Sequence, residues 1–291
     1  MTKNSEYTTP SALRQALEHR LQRRVHENHE DLDRLRRHVA FDRLLARIFL
    51  NDGGPWILKG GYSLELRLAL ARMTRDIDLS LSSPTGLPEG DRLSARLQAG
   101  LQTLASIDVG DFFDFQVGPA TMDIDAAPYG GARLPIDARM AGRTFVRFHI
   151  DIGVGDSMVG PGQVVSGHDW LGFANILAPR VLCISIEQQF AEKLHAYTLT
   201  GRPKPNSRVK DLVDMALLVQ RLPLDLELLV RALRETFGRR DSHPLPTDLA
   251  EPPAFWVAPF TELAQETALG LSMAEAFEVV RSFYLALPQS K

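Results

Sequence analysis

The stretch WILKGGYSLELRLALARMTRDIDLSL, Trp56 to Leu81, decides how the rest of the chain is read. It opens with a short apolar strand, Trp56–Lys59, and turns at Gly60-Gly61. A helix is expected over about 62–71 and a second strand over Asp76–Leu81. Alternate residues of a strand share a face, so Asp76, Asp78 and Ser80 lie on one side and Ile77, Leu79 and Leu81 on the other. The apolar side packs inward. The other side carries two carboxylates only about 7 Å apart along the strand, an arrangement that is costly without a cation nearby. A hard divalent ion accepts one or two protein carboxylates and completes its shell with water and phosphate oxygens. Glycines one strand–helix unit upstream let backbone approach a phosphate, and the helix N-terminus that follows offers N–H donors. The stretch therefore reads as a metal platform for a nucleoside triphosphate. Asp123-Ile124-Asp125 repeats the tripeptide without a Gly-Gly turn at useful distance, and is read as an exposed strand or turn.

The surrounding chain can support such a site. With 291 residues, 44% of them hydrophobic, it is long enough for a sizeable core and about two domains. Charged residues make up 24% with a net charge of −3, so global disorder and a global basic field are both excluded. The single cysteine, Cys183, rules out an intrachain disulfide and a multi-cysteine zinc site. The opening MTKNSEYTTPS lacks an apolar signal core, and no apolar run approaches about 18 residues. A soluble, cytoplasmic protein with no membrane partner is expected.

Residues 11–50 read as helix, with leucines at 13, 17 and 21 on one face. Many arginines there, among them Arg24, Arg36, Arg43 and Arg47, alternate with acids. They read either as solvated faces laced with ion pairs or as a polyanion-binding surface. His26 and His29 lack further ligands nearby and read as surface residues. After a helix at 90–105, strands are expected near 111–117, 120–126 and 143–154. Beyond Gly162 the pattern is largely helical, at 186–200, 208–221, 225–237 and 272–286. The fold class is α+β: N-terminal helices plus a mixed-sheet core over 1–162, then a mainly helical domain over 163–291.

Within TFVRFHIDIGVGD, Asp151 alternates with His149 and Arg147, opposite an apolar set containing Phe148, Ile150 and Ile152. It is a candidate third metal-binding carboxylate, and a salt bridge to Arg147 is its plain structural reading.

Lys59-Gly60-Gly61, then Arg72-x-Thr74-Arg75-Asp76-Ile77-Asp78-Leu79, then Ile150-Asp151-Ile152-Gly153 resemble the AbiEii/AbiGii abortive-infection toxins. These include the MenT-like members and belong to the polymerase β-like nucleotidyltransferase superfamily. Ala191-Glu192-Lys193 resembles the family's Ala-Glu-Lys helix, and Ser207-Arg208-Val209-Lys210-Asp211 its Arg-x-Lys-Asp helix. Tyr62 stands where the superfamily usually has serine or threonine, which leaves the phosphate contact to Ser63 or to backbone N–H groups.

The resemblance implies a nucleotidyltransferase fold and an enzyme that moves a nucleoside monophosphate from a triphosphate, releasing pyrophosphate. Asp76, Asp78 and Asp151 would hold Mg²⁺ or Mn²⁺. Lys59, Gly60, Gly61, Ser63, Arg75 and Lys193 would bind the triphosphate, and Asp211 would share in catalysis. On its own helix Asp214 could instead pair with Lys210. The basic run Arg202, Lys204, Arg208 and Lys210 could hold an RNA backbone or serve solubility and capping. The implied partners are an RNA acceptor, a tRNA 3′ end above all, and a cognate antitoxin. A phosphate on Thr74, placed by a kinase-like antitoxin, would add about −1.5 to −2 charge beside the two aspartates. The rival readings are transfer to a protein or small molecule, and a non-enzymatic nucleic-acid-binding regulator.

Overall fold

The computed structural model describes residues 7–50, 54–69, 74–90, 92–124, 127–156, 158–199 and 208–288. Arg72, Asp125, Arg202, Lys204 and Ser207, all named above, lie outside them. The chain divides into two compact units. One comprises residues 1–66, 74–155 and 164–183, the other residues 67–73, 156–163 and 184–291.

The first unit begins with α1 (Pro10–Asn28) and α2 (Leu32–Ile48). Thr9 caps α1 by accepting from the Ala12 N–H, with Pro10 in the first turn, where its missing N–H costs nothing. Asp31 caps α2 by accepting from the Arg34 N–H at 2.7 Å. The arginines of these helices are largely partnered: Arg36 with Glu18, Arg24 with Glu30, and Arg37 with Asp31. Arg43 and Arg47 both clasp the buried Asp111. The ion-pair reading of this region is the one observed.

The sheet is built from β1 (Trp56–Lys59), β2 (Asp76–Leu81), β3 (Phe113–Val117), β4 (Met122–Asp123), β5 (Gly131–Met140), β6 (Arg143–Val154), β7 (Gln163–Ser166) and β8 (Arg180–Cys183). Its order is β3-β5-β6-β2-β1-β8-β7, with β4 added along β5. The pairs β2–β6 and β1–β8 are parallel, while β1–β2 and β5–β6 are antiparallel. Between β1 and β2 runs α3 (Gly60–Leu68), and α4 (Leu93–Ala105) precedes β3. Ile77, Leu79, Ile150 and Ile152 are fully buried, so the inward face of the two central strands is as expected from alternation. Cys183 is a buried core residue.

Three expectations need correction. The strand expected at 120–126 shrinks to Met122–Asp123. The ten-residue β5 was not anticipated, because Pro135 sits in its middle and proline is usually barred from a strand interior. It is tolerated because β3 ends here: the Pro135 carbonyl accepts from Gly118 N–H at 2.8 Å, and the side that lacks an N–H faces the end of that strand. Beyond Gly162, β7 and β8 add to the sheet before the helices begin.

The second unit holds α5 (Ile186–Thr198), α6 (Val209–Arg221), α7 (Leu226–Arg240), α8 (Val257–Glu266) and α9 (Met273–Leu285). Of these, α8 was not anticipated. Ser185 caps α5 and Asp225 caps α7, while Ser272 and Glu275 form a reciprocal capping box on α9. Leu212, Ala216 and Leu217 of α6 are fully buried, and Phe190 of α5 meets Phe283 of α9 edge-on at 5.7 Å. Among the described residues no helix is long and apolar enough to cross a membrane.

Candidate active site

Strand register brings the first group of polar residues together. Lys59 of β1 pairs with Asp78 of β2, Asp78 with Asp151 of β6, and Asp151 with Arg133 of β5. Directly opposed residues share a face, so these four form one row across four strands, two anions flanked by two cations. Neighbouring strands lie about 4.8 Å apart, which sets Asp78 close beside Asp151. In the next row Asp76 pairs with His149, and the His149 Nδ1 lies 3.8 Å from an Asp76 oxygen.

Gly60 has φ +67°, a conformation that favours glycine, and a Cβ there would overlap the Asp78 carboxyl group. The glycine thus seats Asp78 against the first residue of α3. Tyr62, at the position where a hydroxyl was expected to face a phosphate, is fully buried and donates to Asp42 of α2 at 2.6 Å. Desolvation, then the Asp42 charge, pushes its phenol well above the usual range. Asp42 also accepts from the His168 N–H at 2.7 Å, and His38 of α2 lies 3.1 Å from Glu65 of α3. Through these contacts α2 fixes α3. Ser63 is fully buried, Gly61 is partly buried and Arg75 is exposed. Thr74 is buried just before β2, and its hydroxyl finds no hydrogen-bond partner among the described residues.

Arg133 is the residue that sequence reasoning missed. Its Nε and one terminal nitrogen donate to the two oxygens of Asp151, each at 2.7 Å, and the same terminal nitrogen reaches Asp76 at 3.4 Å. The hydrogen bonds to Asp151, with the charges of Asp151, Asp76 and Asp78, raise the guanidinium pKa still further. The expected salt bridge from Asp151 to Arg147 is not the one formed. Arg147 lies 3.6 Å from Asp137, its partner in register on β5. The alternation of Ala132, Leu134, Ile136 and Ala138 with polar residues could have revealed the Arg133 strand, had Pro135 not interrupted it.

The donor set suits a hard divalent cation in kind, since Asp76, Asp78 and Asp151 are all carboxylates. Among the described residues, however, no group of three or more histidine, cysteine or acidic side chains is arranged to hold a metal by itself. A carboxylate pair completed by phosphate and water oxygens is the arrangement that suits magnesium.

The second group belongs to the second unit. Lys193 of α5 is almost buried, forms an ion pair with Asp214 of α6 and lies 3.5 Å from Asp211. Asp211 is also 3.6 Å from Arg208. The lysine is therefore no solvated surface residue, and it is an ion-pair partner of the fully buried Asp214.

No curated protein is similar enough in sequence to match. Among solved structures, MenT4, a nucleotidyltransferase toxin from Mycobacterium tuberculosis, superposes with a TM-score of 0.63 at 19% identity, covering 93% of this chain and 88% of that one. A Helicobacter pylori protein assigned as a nucleotidyltransferase has a TM-score of 0.43 at 14% identity, covering 84% and 95% of the two chains. JHP933, also from Helicobacter pylori, has a TM-score of 0.41 at 14% identity, covering 86% and 95%. The last two superpose too loosely to carry an argument. The family model described as nucleotidyl transferase AbiEii toxin, type IV toxin–antitoxin system, matches residues 43–278, which include every candidate residue above. The chain belongs to the AbiEii nucleotidyltransferase toxin family.

Proposed function

We propose that this toxin transfers a nucleoside monophosphate from a nucleoside triphosphate to an RNA acceptor, a tRNA 3′ end above all, in a metal-dependent reaction. The observation that carries the reading is the in-register placement of Asp78 and Asp151, with Asp76 one row away and Gly60 seating Asp78. Asp76 and Asp78, with Asp151, would hold a divalent ion. When bound, that ion would offset the phosphate charge that the carboxylates otherwise repel. The protein's own part is positioning and charge neutralisation, as in phosphoryl transfer generally. Lys59, at the end of the row, and the α3 N-terminus with Gly61 would receive phosphate oxygens. Arg75 and Lys193 would stabilise the charge gathering on the departing pyrophosphate. Asp151 or Asp211 would accept the proton of the attacking hydroxyl.

Membership of an enzyme family removes the reading as a non-enzymatic regulator. A type IV toxin–antitoxin family also implies an antitoxin partner. Its action as a kinase on Thr74 would require that buried hydroxyl to be exposed first. The deciding experiment incubates pure protein with total RNA and each labelled triphosphate in turn, with magnesium or with EDTA. Label in the tRNA fraction that vanishes with EDTA is the expected result. Label only in protein or in small molecules would move the acceptor to those classes, and EDTA-resistant labelling of RNA would overturn the metal.

A further inference from the structure

The row Lys59–Asp78–Asp151–Arg133 carries equal numbers of positive and negative groups with no added ion, and within it Arg133 holds Asp151. The guanidinium satisfies both oxygens of Asp151 in a fork and extends to Asp76, so it bridges two of the three carboxylates assigned to the cation. A bidentate arginine–carboxylate pair and a divalent ion compete for the same lone pairs, and Asp151 cannot present both oxygens to each. The pair is only partly screened from water, since the side chains of Arg133 and Asp151 are 33% and 20% exposed. The arginine is thus free to swing outward without leaving a cation buried and unsolvated.

We propose that Arg133 is a displaceable resident cation: it occupies the carboxylate cluster until a divalent ion arrives, and then gives up Asp151. This rests on the reading of Asp76, Asp78 and Asp151 as the metal site. A row that gains a divalent ion while keeping Lys59 and Arg133 changes from neutral to positive, which is the field a triphosphate requires. Arg133 therefore both weakens metal binding in the absence of nucleotide and becomes available to a phosphate once displaced. The arginine makes the site responsive to metal and nucleotide together rather than to metal alone.

The test measures Mn²⁺ binding to the full chain without nucleotide, by electron paramagnetic resonance titration, together with the thermal midpoint with and without Mn²⁺. Releasing two charge-assisted hydrogen bonds predicts that Arg133→Gln binds Mn²⁺ at least about tenfold more tightly than wild type. Its midpoint should fall without metal and rise more than wild type's on adding Mn²⁺. Arg133→Lys, which keeps the charge but cannot form the fork, should lie between the two and serves if the glutamine variant does not fold. Asp76→Asn/Asp78→Asn should abolish the binding in each background. Equal or weaker Mn²⁺ affinity in both Arg133 variants, with wild type still binding at the aspartates, would overturn the displacement while leaving the metal reading intact. Binding by none of them would overturn both.

Discussion

The tripeptide Asp-Ile-Asp occurs twice in this chain, and its first aspartate stands in very different surroundings in the two copies. At 76–78 it forms the first half of a central strand: Ile77 is fully buried, Asp78 is opposed by Lys59 on one side and Asp151 on the other, and Gly60 abuts its carboxyl group. At 123 the aspartate ends a two-residue strand that pairs with β5, and it is exposed and opposite Ala132. Three identical residues therefore say little. What distinguishes the first copy is a second strand that brings a third carboxylate into register and a third that supplies a guanidinium.

The largest expected effect separates the copies directly. Asp78→Ala or Asp76→Ala should lower nucleotide transfer by roughly 1000-fold, the upper figure for losing one preorganised electrostatic partner. Both variants should stay folded, because Arg133 keeps Asp151. Equal losses from Asp123→Ala would erase the distinction.

Lys193 extends the comparison to an acidic pair whose cation is a lysine. Lys193→Ala should cut kcat/KM by about 100-fold. It should also cost about 3–5 kcal/mol in denaturant titration, because Asp214 is left buried and charged without its partner. The double variant Lys193→Met/Asp214→Leu should regain most of the stability and none of the activity. Recovery of activity with stability would make the lysine purely structural.

Gly60→Ala addresses the seat of Asp78. The positive φ alone costs about 1–3 kcal/mol, and the added methyl must push the carboxylate aside, so activity should fall at least tenfold, by the rough equivalence of 1.4 kcal/mol to a decade. A crystal structure of the variant with Asp78 unmoved and activity intact would dismiss the seat. Tyr62→Phe removes a buried donor to Asp42 and should cost about 1–3 kcal/mol in thermal or chemical unfolding. Its kcat should barely change, since the hydroxyl serves α2 rather than phosphate. Smallest of all, Asp123→Ala should shift stability by less than about 0.5 kcal/mol and leave transfer at the wild-type rate.

Much of this was legible before any coordinates. Alternation placed β2 and β6, and 3.6-residue periodicity found α5, α6, α7 and α9 within a few residues. Local patterns failed where tertiary context decided the outcome. Pro135 disguised β5, because nothing local says that the neighbouring strand ends beside it. With β5 hidden, Arg133 could not be matched to Asp151, and Arg147 on the same strand seemed the natural partner. For Asp214, a helix pattern offers Lys210 at i−4 but cannot show Lys193, which reaches it from another helix. Asp76, Asp78 and Asp151 stood out by type and spacing and Lys193 and Asp211 through the family resemblance, but their counter-charges through neither.

The position of β2 between β1 and β6 has a consequence for how the protein is made. Asp76 and Asp78 leave the ribosome well before the β5–β6 hairpin that supplies Arg133 and Asp151. Pairing that joins distant parts of a chain forms late, because the intervening loop must first be closed. A nascent chain ending before Gly131 has neither Arg133 nor Asp151 to complete the row, and Lys193 follows later still. If the row is the active site, vectorial synthesis keeps fragments of this toxin inert: the host meets the full arrangement of charges only after more than half of the chain has been translated.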